Sequence, residues 1–173
     1  MRKLILIFTL AFTTISYGQM RNGQGQRQMR QPQQEAPKPK FEVEKYVGVI
    51  IYDIKKAAKK SSVKLSSKEG VTFSKILTMH NKDINDIKRI NSFLLRSTKE
   101  MVESYQKQAM KTGDISNQQK VMKTMNENLK PIAETIKKED KKLDKAMKTL
   151  LSKKQYKKWI KYNRKMYKVF PKE

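Results

Sequence analysis

The sequence predicts an all-α protein: an elongated antiparallel helical hairpin of about four helices behind a disordered N-terminal linker. Three observations carry this. Apolar residues recur at spacings of three and four from Val43 onward, the period of one helix face. Helix-start patterns recur at Leu65-Ser66-Ser67-Lys68-Glu69, Ser116-x-x-Gln119 and Leu151-Ser152-Lys153-Lys154-Gln155, where a hydroxyl cap and a Glu or Gln three residues later satisfy opening N–H groups. Glycine and proline punctuate the chain sparsely after residue 40.

The first eighteen residues read as an export signal. Met1-Arg2-Lys3 is a positive start, and Leu4–Ile15 is uncharged but short of the roughly 20 residues of a membrane span. Ser16-Tyr17-Gly18 offers small residues for cleavage before Gln19, with no cysteine to accept a lipid. The processed chain is expected to begin at Gln19 and to work in the periplasm, or secreted. The absence of cysteine removes disulfides, thiolate metal sites and cysteine nucleophiles. Residues 19–40 hold seven glutamines and three prolines with almost no large apolar side chain, a composition that buries nothing and predicts a disordered, mildly basic linker. Residues 41–173 form the helical domain.

Within that domain, Val43, Val47, Ile50, Ile54 and Ala57 make one stripe, opposite Lys45, Lys55, Lys56, Lys59 and Lys60. Val49–Tyr52 has strand-like composition, but the longer period predicts one helix through it. A second helix is expected to start after Ser66 and run to Gly113-Asp114, along Phe73, Ile76/Leu77, His80, Ile84, Ile87, Asn91, Leu94, Thr98, Met101, Tyr105 and Ala109. The polar members predict a partly wet seam. The third, capped by Ser116, carries Met122, Met125, Leu129, Ile132, Ile136, Leu143, Met147 and Leu150, with a kink or break at Pro131. The last starts at Ser152 and ends near Val169, before Pro171. Long stripes joined by short turns must fold back on one another, and the apolar surface then left over predicts a homodimer.

Charge is the second guide. The chain carries +24, and +22 remains without Arg2 and Lys3. Residues 137–173 contain fifteen Lys or Arg against four acids. In the last helix Tyr156, Trp159/Ile160, Asn163, Tyr167 and Phe170 share one face, and Lys154, Lys158, Lys161, Arg164, Lys165 and Lys168 the other. A solvated lysine face is the plain reading of such a pattern. Like charges this dense also repel, which points to an acidic partner: an acidic or unfolded polypeptide, an anionic lipid or lipopolysaccharide surface, or nucleic acid. Nucleic acid is disfavoured, because lysine far outnumbers arginine, the main base reader, and no zinc-finger or RNA-binding signature is present. A membrane-surface role is secondary, since the long seams suit helix packing.

No catalytic constellation emerges, so no enzyme, metal or cofactor is expected. His80 is the lone histidine, and the acid pairs Asp83/Asp86 and Glu139-Asp140 are interleaved with lysines as surface ion pairs are. The seam methionines read as core filler or as an adaptable apolar surface.

The pentapeptides Leu151-Ser152-Lys153-Lys154-Gln155 and Leu65-Ser66-Ser67-Lys68-Glu69 resemble the repeated Leu-Thr-x-x-Gln signature of the Spy/CpxP family of periplasmic helical chaperones and stress-response proteins. The first departs by a Thr-to-Ser change and continues into a similar Tyr-Lys-Lys-Trp, and the second departs at two positions. The Ser-Tyr-Gly-Gln end of the signal is similar to those of Bacteroidetes-type bacteria. In architecture the likeness spans roughly residues 42–168. It implies a dimeric, curved helical hairpin that binds unfolded clients without ATP on a basic, partly apolar surface, here the lysine faces with seam residues of the second and third helices. It equally implies an accessory role, docking on the periplasmic domain of an envelope sensor kinase. The family's metal-responsive branch lacks ligands here. Leu65, Ser66, Glu69, Leu151, Ser152 and Gln155 then act as structural caps.

Overall fold

The computed structural model describes residues 39–166. The expected signal peptide and nearly all of the linker lie outside the described residues, as do Tyr167, Lys168, Val169 and Phe170. The described residues are all-α, with six helices and no strand: α1 Val43–Tyr46, α2 Ile54–Ser61, α3 Lys68–Ile90, α4 Ser92–Thr112, α5 Gln118–Leu150 and α6 Lys153–Lys165. None of them is long and apolar enough to cross a membrane.

The axis of the domain is α5, 33 residues and about 50 Å long. Against it run α3 and α4, antiparallel, as the links His80–Asp140 and Thr98–Asn128 record: the partner on α5 falls in number as the α3–α4 residue rises. Gly113 closes the hairpin in a left-handed conformation (φ 73°), its N–H bonded to the Ala109 carbonyl. Along α5 the buried residues Met125, Leu129, Ile132, Ile136, Leu143 and Met147 follow at spacings of three and four with one gap of seven after Ile136, a seam of coiled-coil type. Asp140 occupies the position between Ile136 and Leu143 and meets buried His80 of α3, Nε2 to Oδ1 3.8 Å. This polar rung stands between two apolar clusters. One gathers Phe73, Leu77, Leu143, Met147 and Trp159; the other gathers Ile84, Leu95, Val102, Leu129 and Ile132.

The expected first helix is two short ones with an extended connection. Gly48 takes φ 83° and ends α1, and Asp53 then caps α2 by accepting from the Lys56 N–H at 3.0 Å. Val43, Val47, Ile50 and Ala57 are buried as their stripe predicted, but Val49–Tyr52 is neither helix nor strand. The side chain of Asn81 holds it, accepting from the Tyr52 N–H and donating to the Tyr52 carbonyl, both at 2.8 Å. That amide supplies both bonds a neighbouring strand would have made.

The second expected helix is divided at Asn91, whose side-chain amide turns back to the Ile87 carbonyl at 2.8 Å. This competing bond interrupts the helix and moves part of the buried stripe of α4 by one residue: Thr98 and Ala109 are buried as expected, but Leu95 and Val102 are buried in place of Leu94 and Met101, and Tyr105 is half-buried. The seam does carry polar contacts, with Asn128 donating to Thr98 Oγ1 at 3.0 Å. Ser116 does not cap the third helix. It binds Asp114 Oδ1 through its own N–H, and α5 starts after Asn117 without a side-chain cap. Pro131 makes no break, because it sits on the exposed side of α5, where the bond it cannot donate is lost outside the core. The last helix ends at Lys165, not near Val169, with Met166 as its C-cap.

Candidate functional site

The two motif segments meet in space. Ser152 opens α6 with a complete capping box: its hydroxyl accepts from the Gln155 N–H at 3.4 Å, and Gln155 Oε1 accepts from the Ser152 N–H at 2.9 Å. The remaining end of the same amide, Gln155 Nε2, donates to Glu69 Oε2 at 3.1 Å and lies 3.5 Å from the Ser62 carbonyl. Leu151 is buried beneath it, and Leu65 packs partly buried on the same cluster.

In the earlier segment the cap is Ser67, not Ser66. The Ser67 hydroxyl accepts from the Gly70 N–H at 3.0 Å, while Ser66 is exposed. The third helical residue is therefore Gly70, which has no side chain to reach back, so no capping box forms and Glu69 is released to bind Gln155. Packing selects this frame. A Cβ on Gly70 would run into the Lys64 carbonyl oxygen and lie 2.6 Å from the Leu65 Cα, so only glycine lets this turn close on α3.

Helix α6 lies antiparallel on α2. Lys158 Nζ, in the first half of α6, donates to Ser62 Oγ just past the end of α2 at 2.7 Å, and for Tyr162 further along burial first, then the Asp53 charge at the start of α2, raise the phenol pKa. Small buried residues of α2, Ala57, Ala58 and Ser61, admit the partner helix closely. Trp159 is fully buried, edge-on to Phe73 with centroids 6.0 Å apart and tilted against Tyr52 at 5.2 Å. The Tyr52 hydroxyl donates to Asn163 Oδ1 at 2.6 Å, and burial, ahead of the nearby Asp140 charge, raises the Tyr52 pKa. Tyr156 donates its hydroxyl to Asp144 of α5 at 2.7 Å; burial first, then that bond and charge, push its pKa to about 12.

This pairing makes the principal charged feature of the domain. Residues 54–65 contain five lysines and no acid, and residues 152–166 contain seven Lys or Arg and no acid. Packed together, they present Lys55, Lys56, Lys59 and Lys60 of α2 with Lys154, Lys158, Lys161, Arg164 and Lys165 of α6, all exposed. Of the six cations singled out on the last helix, five stand on this face; Lys168 is outside the described residues. The contribution of α2 was visible in sequence as a lysine side, but its union with α6, across some hundred residues, had no local signal. Most of the seam residues expected to join this surface are buried, among them Phe73, Leu77, Leu129, Ile132 and Ile136, while Met101, Tyr105 and Met122 are half-buried. None of the large apolar residues that are exposed, among them Val71, Met79, Ile90, Phe93 and Met110, belongs to α2 or α6.

Among the described residues no group of three or more His, Cys, Asp or Glu gathers as metal ligands would. His80 is 5 % exposed and spends its ring on Tyr52, 5.5 Å away, and on Asp140. No family model matches this chain, and neither does any curated protein or solved structure.

Proposed function

We propose that this chain is a non-enzymatic, ATP-independent binding protein of the cell envelope, with a chaperone-like role, and that it captures acidic stretches of unfolded polypeptides on the α2/α6 face. The observation that carries this reading is the acid-free pairing of α2 with α6. Twelve cations lie in two packed segments that themselves contain no Asp or Glu, with Asp53, Glu69 and Asp144 only at their margins, an arrangement that costs stability through self-repulsion and is offset when an anionic chain lies across it. Lysine suits such capture, since its flexible ammonium follows an irregular chain of carboxylates without demanding one geometry. The lack of exposed large apolar residues on α2 and α6 favours electrostatic capture over insertion into a lipid surface. The Leu151–Gln155 resemblance adds support, because its capping box is the element that sets α6 on α2.

The test is light scattering from chemically unfolded acidic proteins diluted into the chain from Gln19, at low and at physiological salt. Suppression near equimolar ratio is expected, weakening as salt rises and largely lost in a Lys154→Glu/Lys158→Glu/Lys161→Glu variant. Aggregation unchanged at both salt concentrations would sink the reading. A salt-sensitive shift of DNA without any effect on unfolded protein would replace it with general polyanion binding.

A further inference from the structure

We propose that the cleft between α1 and the α3–α4 junction binds a phosphate group, carried by a small soluble phosphomonoester or by a phosphorylated lipid headgroup. This inference does not rest on the α2/α6 reading, because no residue of α2 or α6 lines the cleft. Its volume is about 460 Å³, within the range of small-ligand sites. One wall is a single side of α3 and α4, where Lys88, Ser92, Leu95 and Lys99 recur at spacings of three and four, with Arg89 and Arg96 beside them. The other wall is α1, through Val43 and Glu44. Val43 and Leu95 are buried and belong to the apolar cluster beneath. Four cations therefore line the cleft against one carboxylate, Glu44.

The kind of cation points to the ligand. Residues 39–166 hold only three arginines among their many lysines, and two of them, Arg89 and Arg96, line this cleft. A guanidinium offers paired N–H donors in a fixed fork that matches phosphate or carboxylate oxygens. Two forks and two ammonium groups exceed what one carboxylate engages. A phosphate monoester, with nearly two charges and three acceptor oxygens, can use them together. Most of these cations are loosely held within the chain. Arg89 reaches Asp86 through one Nη at 3.2 Å, and Arg96 lies 4.0 Å from Glu100. Lys99 lies 3.9 Å from Glu103, whose carboxylate already accepts the Phe41 N–H at 2.9 Å. Exposed ion pairs of this kind are weak, and both arginines are exposed, able to turn inward onto an anion. Lys88 is different: it is half-buried and held by Glu44 at 3.0 Å. Glu44 therefore competes with an incoming anion for that charge.

Isothermal titration calorimetry of the chain from Gln19 tests this, with inorganic phosphate, phenyl phosphate and acetate as probes at matched ionic strength. Circular dichroism confirms that each variant keeps its helices. Saturable binding of both phosphates is expected, with acetate weaker by about tenfold or more. Arg89→Ala/Arg96→Ala should weaken phosphate by about tenfold or more, and Glu44→Gln, which removes the competing carboxylate, should tighten it. Lys154→Gln/Lys161→Gln on the α2/α6 face changes the net charge equally and should leave phosphate binding unaltered. Cosedimentation with phosphatidylcholine vesicles carrying phosphatidic acid separates the two sources. Uptake that depends on Arg89 and Arg96 assigns a lipid headgroup; binding of phenyl phosphate without such uptake assigns a soluble phosphomonoester. Neither phosphate saturating, equal weakening by the two double variants, a Glu44→Gln chain that binds no better, or acetate bound as tightly as phosphate would overturn the proposal.

Discussion

Gln155 Nε2 stands 3.1 Å from Glu69 Oε2, joining the first turn of α6 to the first turn of α3 across 86 residues of chain. One amide thus serves two purposes. Its oxygen completes the cap of its own helix, and its nitrogen fixes that helix to another. Gln155→Glu keeps the capping oxygen but sets a second carboxylate against Glu69. A loss of about 1–2 kcal/mol is expected in urea unfolding. Adding Glu69→Gln should recover most of it, and a double-mutant cycle with no coupling would show that the contact contributes nothing.

The capping frame gives a second prediction. Ser152→Ala and Ser67→Ala should each cost about 1 kcal/mol, since each hydroxyl accepts an opening N–H. Ser66→Ala should stay within about 0.5 kcal/mol, as surface substitutions do. Chemical denaturation of the three variants separates the two frames directly.

Gly70→Ala is expected to be severe although it adds one methyl group. The new Cβ meets backbone, the Lys64 carbonyl and the Leu65 Cα, and backbone cannot swing aside. A loss of about 3 kcal/mol and a lowered Tm by circular dichroism are expected. A Tm equal to that of the parent chain would mean that the 62–67 turn moves freely away from α3.

Alkaline pH should loosen the attachment of α6. Tyr156 has its pKa raised to about 12 by burial and by the Asp144 carboxylate, against about 10 in an unfolded chain. The folded state thus favours the protonated phenol, and its stabilising share is complete below pH 10 and lost as pH climbs toward 12. Tyr52, raised in the same direction by burial, adds to the effect. Thermal melts from pH 9 to 12 should show a falling Tm, with a shallower fall in Tyr156→Phe. An identical slope in both proteins would remove Tyr156 as a cause.

What the sequence disclosed was governed by distance along the chain. The buried faces of α3 and α5 were legible because Phe73, Leu77 and Ile84, or Met125, Leu129 and Ile136, repeat at helical spacing and need only a neighbour to cover them. Ser152 was legible because its cap is made by a residue three positions on. Local pattern failed wherever a distant side chain decided the outcome. Asn81 converts Val49–Tyr52 from helix to extended chain through two bonds to Tyr52. The shift of the cap from Ser66 to Ser67 is a different case, set close by in the chain where the Gly70 backbone packs against Lys64 and Leu65 in a way that side-chain periodicity does not register. Both lysine sides of the basic face, on α2 and on the last helix, were visible in the sequence, but only the burial of Trp159 against Tyr52 and Phe73 brings the two segments together.

Because α2 and α6 come from opposite ends of the described domain, the basic face exists only once the chain is complete. A polypeptide made or exported N-terminus first presents α2 long before α6 arrives to cover Ala57, Ala58 and Tyr52, so contacts of the longest sequence separation form last. Loss of the final fourteen residues of the described chain would remove Trp159 and more than half of the cations together. The charged surface is in that sense a readout of finished folding: an incomplete molecule has no assembled patch with which to hold a partner.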